Sequence, residues 1–279
     1  MIGQNKLLSI ISSQVECDEF PRFSIIVGPD GSGKKTLTTA IAFALECQKV
    51  FIEPKVDAVR EMISNAYKVK TNTMYVILDG IMSPSAKNAL LKICEETPEN
   101  AYICMLTSDE NTILDTLRSR ASMYYMQPYT SQEILEYTKS TKKLTAGTEY
   151  IITDLCETPG DVDKLYNVGV EDFYKFVEKV VNNIAEVSSA NALKITDSID
   201  TKGTNADKYD MTLFLRAFKS ICGKRLKQNI AENGDIVERE HYSGGIKVAS
   251  NSLSQLNIVG INKGALFDIF ILNIRREWA

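Results

Sequence analysis

Residues 23–36, Phe-Ser-Ile-Ile-Val-Gly-Pro-Asp-Gly-Ser-Gly-Lys-Lys-Thr, pass from an apolar, β-rich run through a glycine-rich turn into a helical pattern. Gly28, Gly33 and Lys34 satisfy the spacing G-x-x-x-x-G-K. A turn of this kind gathers backbone N–H groups at the positive end of a helix dipole, where a phosphate is held. It also constrains the fold, because the turn must sit at the carboxyl end of a strand in an α/β layer. The position after the lysine ordinarily offers a hydroxyl to Mg2+, and here it is Lys35. A protonated lysine cannot ligate a cation. Thr36 carries a hydroxyl, but one residue further along a helix turns a side chain by about 100°.

The candidate nucleotide contacts are therefore Gly28, Gly31, Ser32, Gly33, Lys34, Lys35 and Thr36. Bound ATP or ADP is compatible with them, with Lys35 offsetting phosphate charge. The missing hydroxyl argues against Mg2+ and against rapid hydrolysis. A second acidic contact is expected after the apolar run Met74–Leu78, at Asp79. The next residue, which could orient an attacking water as a glutamate, is Gly80.

Composition narrows the remaining chemistry. Hydrophobic residues make up 44% of the 279 and charged residues 24%, the balance of a soluble globular chain. The opening Met-Ile-Gly-Gln-Asn-Lys lacks the build of a signal peptide and no apolar run suits a membrane span, so a cytoplasmic location and no membrane partner are expected. Six cysteines (17, 47, 94, 104, 156, 222) form no C-x-x-C pair and read as buried free thiols, so neither a zinc site nor a disulfide framework is expected. The single histidine, His241, stands in a polar, glycine-containing stretch and reads as a loop residue. With a net charge of −4, autonomous binding to nucleic acid is not expected; contact with DNA would need a local face or an assembly.

All seven prolines fall before residue 160, where strand-like and helix-like runs alternate; beyond it the chain reads as helix after helix. Strands are predicted at Ser24–Val27, Val50–Ile52, Met74–Leu78, Ile103–Leu106 and Met123–Met126, with helices at Lys34–Cys47 and Ser85–Glu96. The pattern is that of a parallel sheet flanked by helices, then an all-α region. After Gln127-Pro-Tyr-Thr, Thr130 and Glu133 have capping-box spacing and open a new helix. Residues 1–128, 129–168 and 169–279 are the expected domains. In the last, Phe173, Phe176, Val177, Val180, Val181 and Ile184 repeat at helical spacing, and Gly264–Trp278 is apolar on most of its circumference.

Ser85-Ala-Lys-Asn-Ala-Leu-Leu-Lys-Ile-Cys-Glu-Glu-Thr-Pro-Glu-Asn resembles a helix of AAA+ clamp-loader subunits, written A-x-N-A-L-L-K-x-L-E-E-P-P. Met105-Leu-Thr-Ser-Asp-Glu is similar to that family's sensor-1 strand end, and Ile113-Leu-Asp-Thr-Leu-Arg-Ser-Arg to its I-L-x-T-I-x-S-R-C. Ile2-Gly-Gln, Val56-Asp-Ala-Val-Arg-Glu-Met and Leu256-Asn-Ile-Val-Gly-Ile-Asn-Lys-Gly-Ala-Leu resemble further family segments. The likeness is strongest to the delta-prime type of bacterial DNA polymerase III, with the gamma/tau type second. It implies an AAA+ α/β domain, a helical lid and an all-α collar that joins subunits. It implies Arg120 as an arginine finger on ATP held by a neighbouring subunit; capping a helix or pairing with an acid is the alternative for that residue. It also implies Thr107 and Ser108 as γ-phosphate or water contacts, though such hydroxyls can instead satisfy the backbone.

Departures from the family weigh as much. Cys47 stands alone where a four-cysteine zinc module would begin, Ala121 follows the Ser-Arg pair, and Asp163 occupies the place of a sensor-2 arginine. Lys87, Asn88 and Lys92 are candidate phosphate contacts to primer–template DNA, or a solvated helix face. The expected partners are ATPase gamma/tau-like and delta-like subunits, the sliding clamp, and DNA only within the assembly. Three functions stay open: a delta-prime-like subunit defective in hydrolysis, a self-sufficient gamma/tau-type ATPase, and a scaffold with an empty phosphate loop.

Overall fold

The computed structural model describes residues 1–78, 82–201, 205, 208–256, 258 and 260–278, with the side chains of residues 189 and 190 left aside. The chain divides into two compact units, Met1–Glu133 and Ile134–Ala279.

The first unit runs α1 (Asn5–Glu16), β1 (Phe23–Val27), α2 (Lys34–Ala44), β2 (Gln48–Ile52), α3 (Val56–Ala66), β3 (Thr73–Ile77), α4 (Pro84–Glu95), β4 (Ala101–Thr107), α5 (Asp115–Arg118) and β5 (Ser122–Tyr125). The strands form one parallel sheet in the order β2-β3-β4-β1-β5. β1 therefore lies between β4, with Val27 opposite Thr107, and β5, with Val27 opposite Tyr125. β1, β3 and β4 are buried along their whole length. Parallel strands need helical crossovers, and these cover both faces. On one face Ile25, Ile77, Ile103 and Met105 pack with Val59 and Met62 of α3, Leu90 and Ile93 of α4 and Leu117 of α5. On the other, Ile26, Val76, Cys104 and Leu106 pack with Leu7 and Ile11 of α1 and Leu37 and Ile41 of α2. The alternation of neighbouring residues between two cores is the period of two that a pleated strand imposes. β2, at the edge, is half exposed.

The expected sheet and flanking helices are present, with strand limits shifted by one or two residues. α2 ends at Ala44 rather than continuing to Cys47. Glu46 turns to φ +52°, and the Cys47 N–H donates to the Ala42 carbonyl at 2.8 Å, which reverses the chain into β2. Gln4 is fully buried and ties the start of the chain to the end of the sheet. Its Nε2 donates to the Gln127 carbonyl (2.9 Å), and its Oε1 accepts from the Gln127 N–H (2.8 Å).

α6 (Ser131–Thr141) follows a capping box in which Glu133 Oε2 accepts from the Thr130 N–H (2.8 Å) and Thr130 Oγ1 accepts from the Glu133 N–H (3.3 Å). The second unit continues with α7 (Glu149–Leu155), α8 (Pro159–Val168), α9 (Val170–Asn183), α10 (Ser189–Leu193), a short parallel pair β6 (Ile199–Asp200) and β7 (Tyr209–Asp210), α11 (Met211–Ala231), α12 (Ile236–Gln255) and α13 (Lys263–Trp278). The expected lid, 129–168, starts at the end of the first unit, and from Ile134 on it lies with the expected collar, 169–279, in this second unit, where α7 packs on α9 and α11 and α8 packs on α9. Phe173, Phe214, Phe218, Phe267 and Phe270 are fully buried at its centre, with Phe214, Phe218, Phe267 and Phe270 in mutual ring contact.

Two expectations change here, for His241 and for two of the six cysteines. His241 is not in a loop: it lies in α12, stacked on Trp278 with ring centroids 6.0 Å apart. The glycines that give the stretch its loop-like look serve packing, since a Cβ on Gly245 would lie 3.0 Å from Trp278 and 3.1 Å from Cys222 Sγ. α13 buries Leu266, Phe267, Phe270, Ile271, Ile274 and Trp278, but Ile269 and Leu272 on its far side are exposed. Four cysteines are buried as expected, whereas Cys17 is exposed and Cys47 half-buried.

Candidate functional site

The glycine-rich turn leaves β1 at the carboxyl edge of the sheet. The Gly28 N–H donates to the Thr107 carbonyl at the end of β4 (3.0 Å), and the Met126 N–H to the Val27 carbonyl (2.8 Å), so both neighbouring strands hold the start of the loop. Gly31 (φ +78°) and Gly33 (φ +92°) use left-handed backbone that a side chain would strain, and Gly33 is the N-cap of α2. Gly28 is glycine for room: a Cβ there would lie 2.6 Å from Met126.

Lys34 is buried in its own loop. Its Nζ donates to the carbonyls of Gly28 (2.5 Å) and Pro29 (3.2 Å) and stands 3.7 Å from the Asp30 carboxylate. Ser32 is buried, and its Oγ has no hydrogen-bond partner among the described residues. An orphaned buried hydroxyl is costly, and a phosphate oxygen would satisfy it. Lys35 and Thr36, on the first turn of α2, are both exposed. Asp79 and Gly80 lie outside the described residues. The loop as described fits a phosphate group, whereas an ammonium and an outward hydroxyl do not fit a divalent cation. Among the described residues no cluster of His, Cys, Asp or Glu could hold a metal.

Two residues that sequence reasoning passes over sit on this loop. The Tyr129 hydroxyl donates to the Ser32 carbonyl (2.7 Å), and the methyl of Met1 lies 2.9 Å from where a Cβ on Gly33 would be. Tyr129 belongs to the Gln-Pro-Tyr-Thr segment that reads only as a linker. No spacing rule flags it, because it reaches the loop through the fold from 97 residues away.

The Thr107 hydroxyl donates to the Asp109 carbonyl (2.9 Å) and accepts from the Asp109 N–H (3.1 Å), so it closes its own turn. Ser108 is exposed. Arg120, just past α5, is also exposed; its Nη1 donates to the Thr116 carbonyl (2.7 Å) and its Nη2 meets Glu95 Oε1 (2.6 Å). On α4 the Lys87 ammonium donates to the Thr112 carbonyl (2.5 Å) and fastens the helix to the β4–α5 connection. Asn88 and Lys92 remain exposed. In the second unit the Asp163 carboxylate meets the Lys142 ammonium (2.7 Å) and accepts from the Tyr137 hydroxyl (3.0 Å). Burial, then that hydrogen bond, pushes the Tyr137 phenol above its ordinary pKa. The Asp163 charge is thus compensated locally.

Residues 51–130 match the family model described as DNA polymerase III, delta subunit. The chain is 24% identical over 171 residues to DNA polymerase III subunit gamma of Buchnera aphidicola subsp. Acyrthosiphon pisum, covering 50% of this chain and 47% of that protein. It is 34% identical over 77 residues to DNA polymerase III subunit delta' of Escherichia coli K12, covering 26% and 23%. The chain spans about half the length of the first curated relatives it matches. Among solved structures, the RuvB Holliday junction branch migration motor of Thermotoga maritima superposes with a TM-score of 0.52 at 18% identity, covering 96% of this chain and 88% of that one. A DNA polymerase III gamma subunit-related protein of the same organism gives 0.53 at 13% identity, covering 96% and 99%. At such identities the structural matches speak for the fold alone. The family match and the curated relatives relate this chain to the gamma- and delta'-type subunits of DNA polymerase III.

Proposed function

We propose that the chain is a clamp-loader subunit of the delta-prime type. In this role it grips a nucleotide phosphate without hydrolysing it quickly, and presents Arg120 to ATP held by a neighbouring subunit. The observation that carries the reading is the first turn of α2, where Lys34 keeps the phosphate-binding place and the exposed Lys35 replaces the metal-binding hydroxyl. Lys35 supplies positive charge beside the loop, so nucleotide binding depends weakly on Mg2+. Arg120 suits a role in trans because a planar guanidinium at the surface can meet developing charge on a γ-phosphate. On this reading the partners are ATPase subunits of the gamma/tau kind, a delta-like subunit and the sliding clamp. Primer–template DNA is met only in the assembly, with Asn88 and Lys92 as the α4 contacts. Its place of work is the cytoplasm; no helix among the described residues is long and apolar enough to cross a membrane.

A second reading is favoured by the contacts of Met1 and Tyr129 on the loop and by the Lys34 ammonium resting on loop carbonyls. In that reading the loop stays closed and the subunit is a scaffold.

Calorimetric titration of the purified chain with ATP and ADP, in Mg2+ and in EDTA, separates these functions. The proposal expects binding that changes less than threefold between the two conditions, without turnover. No heat at millimolar nucleotide would favour the scaffold, and brisk Mg2+-dependent turnover by the lone chain would favour a self-sufficient ATPase. Lys35→Thr should make ATP binding Mg2+-dependent.

A further inference from the structure

On α11, Arg216, Lys219, Ser220, Gly223, Lys224 and Lys227 recur at i, i+3, i+4, i+7, i+8 and i+11, so they share one helix face. That face looks into a groove of about 700 Å3 within the second unit. Asp154 and Glu157 stand on one wall, and Ile246, Leu253 and Leu256, from α12 and its end, on the other. Asp154 pairs with Lys224 (2.9 Å), and Arg216 is shared between Glu157 (2.5 Å) and Asp161 (2.9 Å), so both of these cations are engaged within the unit. Lys219 and Lys227 are exposed and have no ion-pair or hydrogen-bond partner among the described residues. Between them lies Gly223, near the middle of a 21-residue helix, where a Cβ would meet nothing within 4 Å. An interior glycine weakens a helix, and no packing contact calls for this one. It leaves a notch in the floor of the groove.

We infer that this groove binds an extended acidic segment of a partner protein, with acidic residues at i and i+4 around an aliphatic residue at i+2. Lys219 and Lys227 are eight residues apart, about 12 Å along the helix axis. Residues i and i+4 of an extended chain lie about 13 Å apart on the same side of the strand. Each carboxylate meets one lysine, and the aliphatic side chain at i+2 drops over Gly223 against Ile246, Leu253 and Leu256. A nucleic acid fits less well, since phosphates repeat at every nucleotide and would face Asp154 and Glu157, and base stacking would need aromatic walls that the groove lining does not provide. The inference is independent of what the phosphate loop binds.

Fluorescence anisotropy with the full chain tests it, using labelled Ser-Glu-Ser-Leu-Ser-Glu-Ser, its Gln-for-Glu analogue and a labelled thymidine decamer. The glutamate peptide should bind at least tenfold tighter than the glutamine analogue. The double variant Lys219→Glu/Lys227→Glu should weaken it at least tenfold. Gly223→Leu, whose Cβ would meet nothing within 4 Å and which should leave the circular dichroism unchanged, should weaken it at least fivefold. Equal binding of the two peptides, indifference to these variants, or tighter binding of the decamer would overturn the inference.

Discussion

Arg120 and Glu95 are ion-paired at 2.6 Å across the gap between the end of α5 and the end of α4, while the same guanidinium donates to the Thr116 carbonyl. The pair is partly exposed, and such pairs are worth about 0–1 kcal/mol. A guanidinium acting in trans on a phosphoryl transfer contributes a factor of about 10³–10⁵ in rate. Release from Glu95 is therefore a small cost beside the proposed task. In an assembly reconstituted with the proposed ATPase subunits, Arg120→Ala should lower turnover at least tenfold, Arg120→Lys should not rescue it, and Glu95→Gln should leave it within twofold. Steady-state ATPase assays decide this; an unchanged rate in Arg120→Ala would make the residue a helix clasp and nothing more.

Gln4 closes the first unit by two hydrogen bonds to the backbone of Gln127. Removing its amide leaves the N–H and the carbonyl of Gln127 without this partner, at about 1–3 kcal/mol each where water does not take its place. Gln4→Ala should lower the urea midpoint by about 2 kcal/mol in unfolding free energy, with an unchanged m-value. A shift below a few tenths of a kcal/mol would show that water replaces the amide.

Two glycines of neighbouring helices should respond with opposite signs. Gly223 has open space around it, so Gly223→Ala should stabilise the second unit by about 0.5–1 kcal/mol through helix propensity. Gly245→Ala would press a methyl to 3.0 Å from Trp278 and 3.1 Å from Cys222 Sγ, both buried, and should destabilise by about 1–3 kcal/mol. Thermal melts of the two variants, compared with the parent, give the sign directly.

Burial pushes the thiols of Cys94 and Cys104 up to about 12 from the ordinary 9.0, with Arg120 drawing Cys94 back. Cys156 and Cys222 are raised for the same reason. At pH 7.5 a thiol reagent should label the exposed Cys17 first and Cys47 more slowly, with the four buried thiols reacting only on unfolding. Because the folded values lie above 9.0, this stabilisation is complete below pH 9 and declines as pH rises from there toward 12. The urea midpoint should therefore fall between pH 8 and pH 10; a flat profile would mean that the thiolates find solvent in the native state.

Local order carries a large part of the architecture into the sequence. The five strands, the helices between them and the loop from Gly28 to Lys34 are legible because short apolar β-rich runs, helical periodicity and glycine spacing act over a few residues. The Thr130–Glu133 capping box is legible for the same reason. His241 reads wrongly as a loop residue because Gly244-Gly245 signals a turn locally, while Trp278, far along the chain, turns the pair into a packing notch.

The chain's own order of residues determined that a glycine-rich turn joins a parallel sheet to a helix, and that Lys35 follows Lys34 where the G-x-x-x-x-G-K pattern ordinarily continues with a hydroxyl. Only the tertiary structure decided that Tyr129 and Met1 rest on that turn, that Glu95 holds Arg120, that Lys87 is fastened to Thr112, and that a face of α11 opens into a groove. The reason is range. Propensity and periodicity are written over a turn or two of chain, whereas these contacts depend on where the folded chain brings distant segments together.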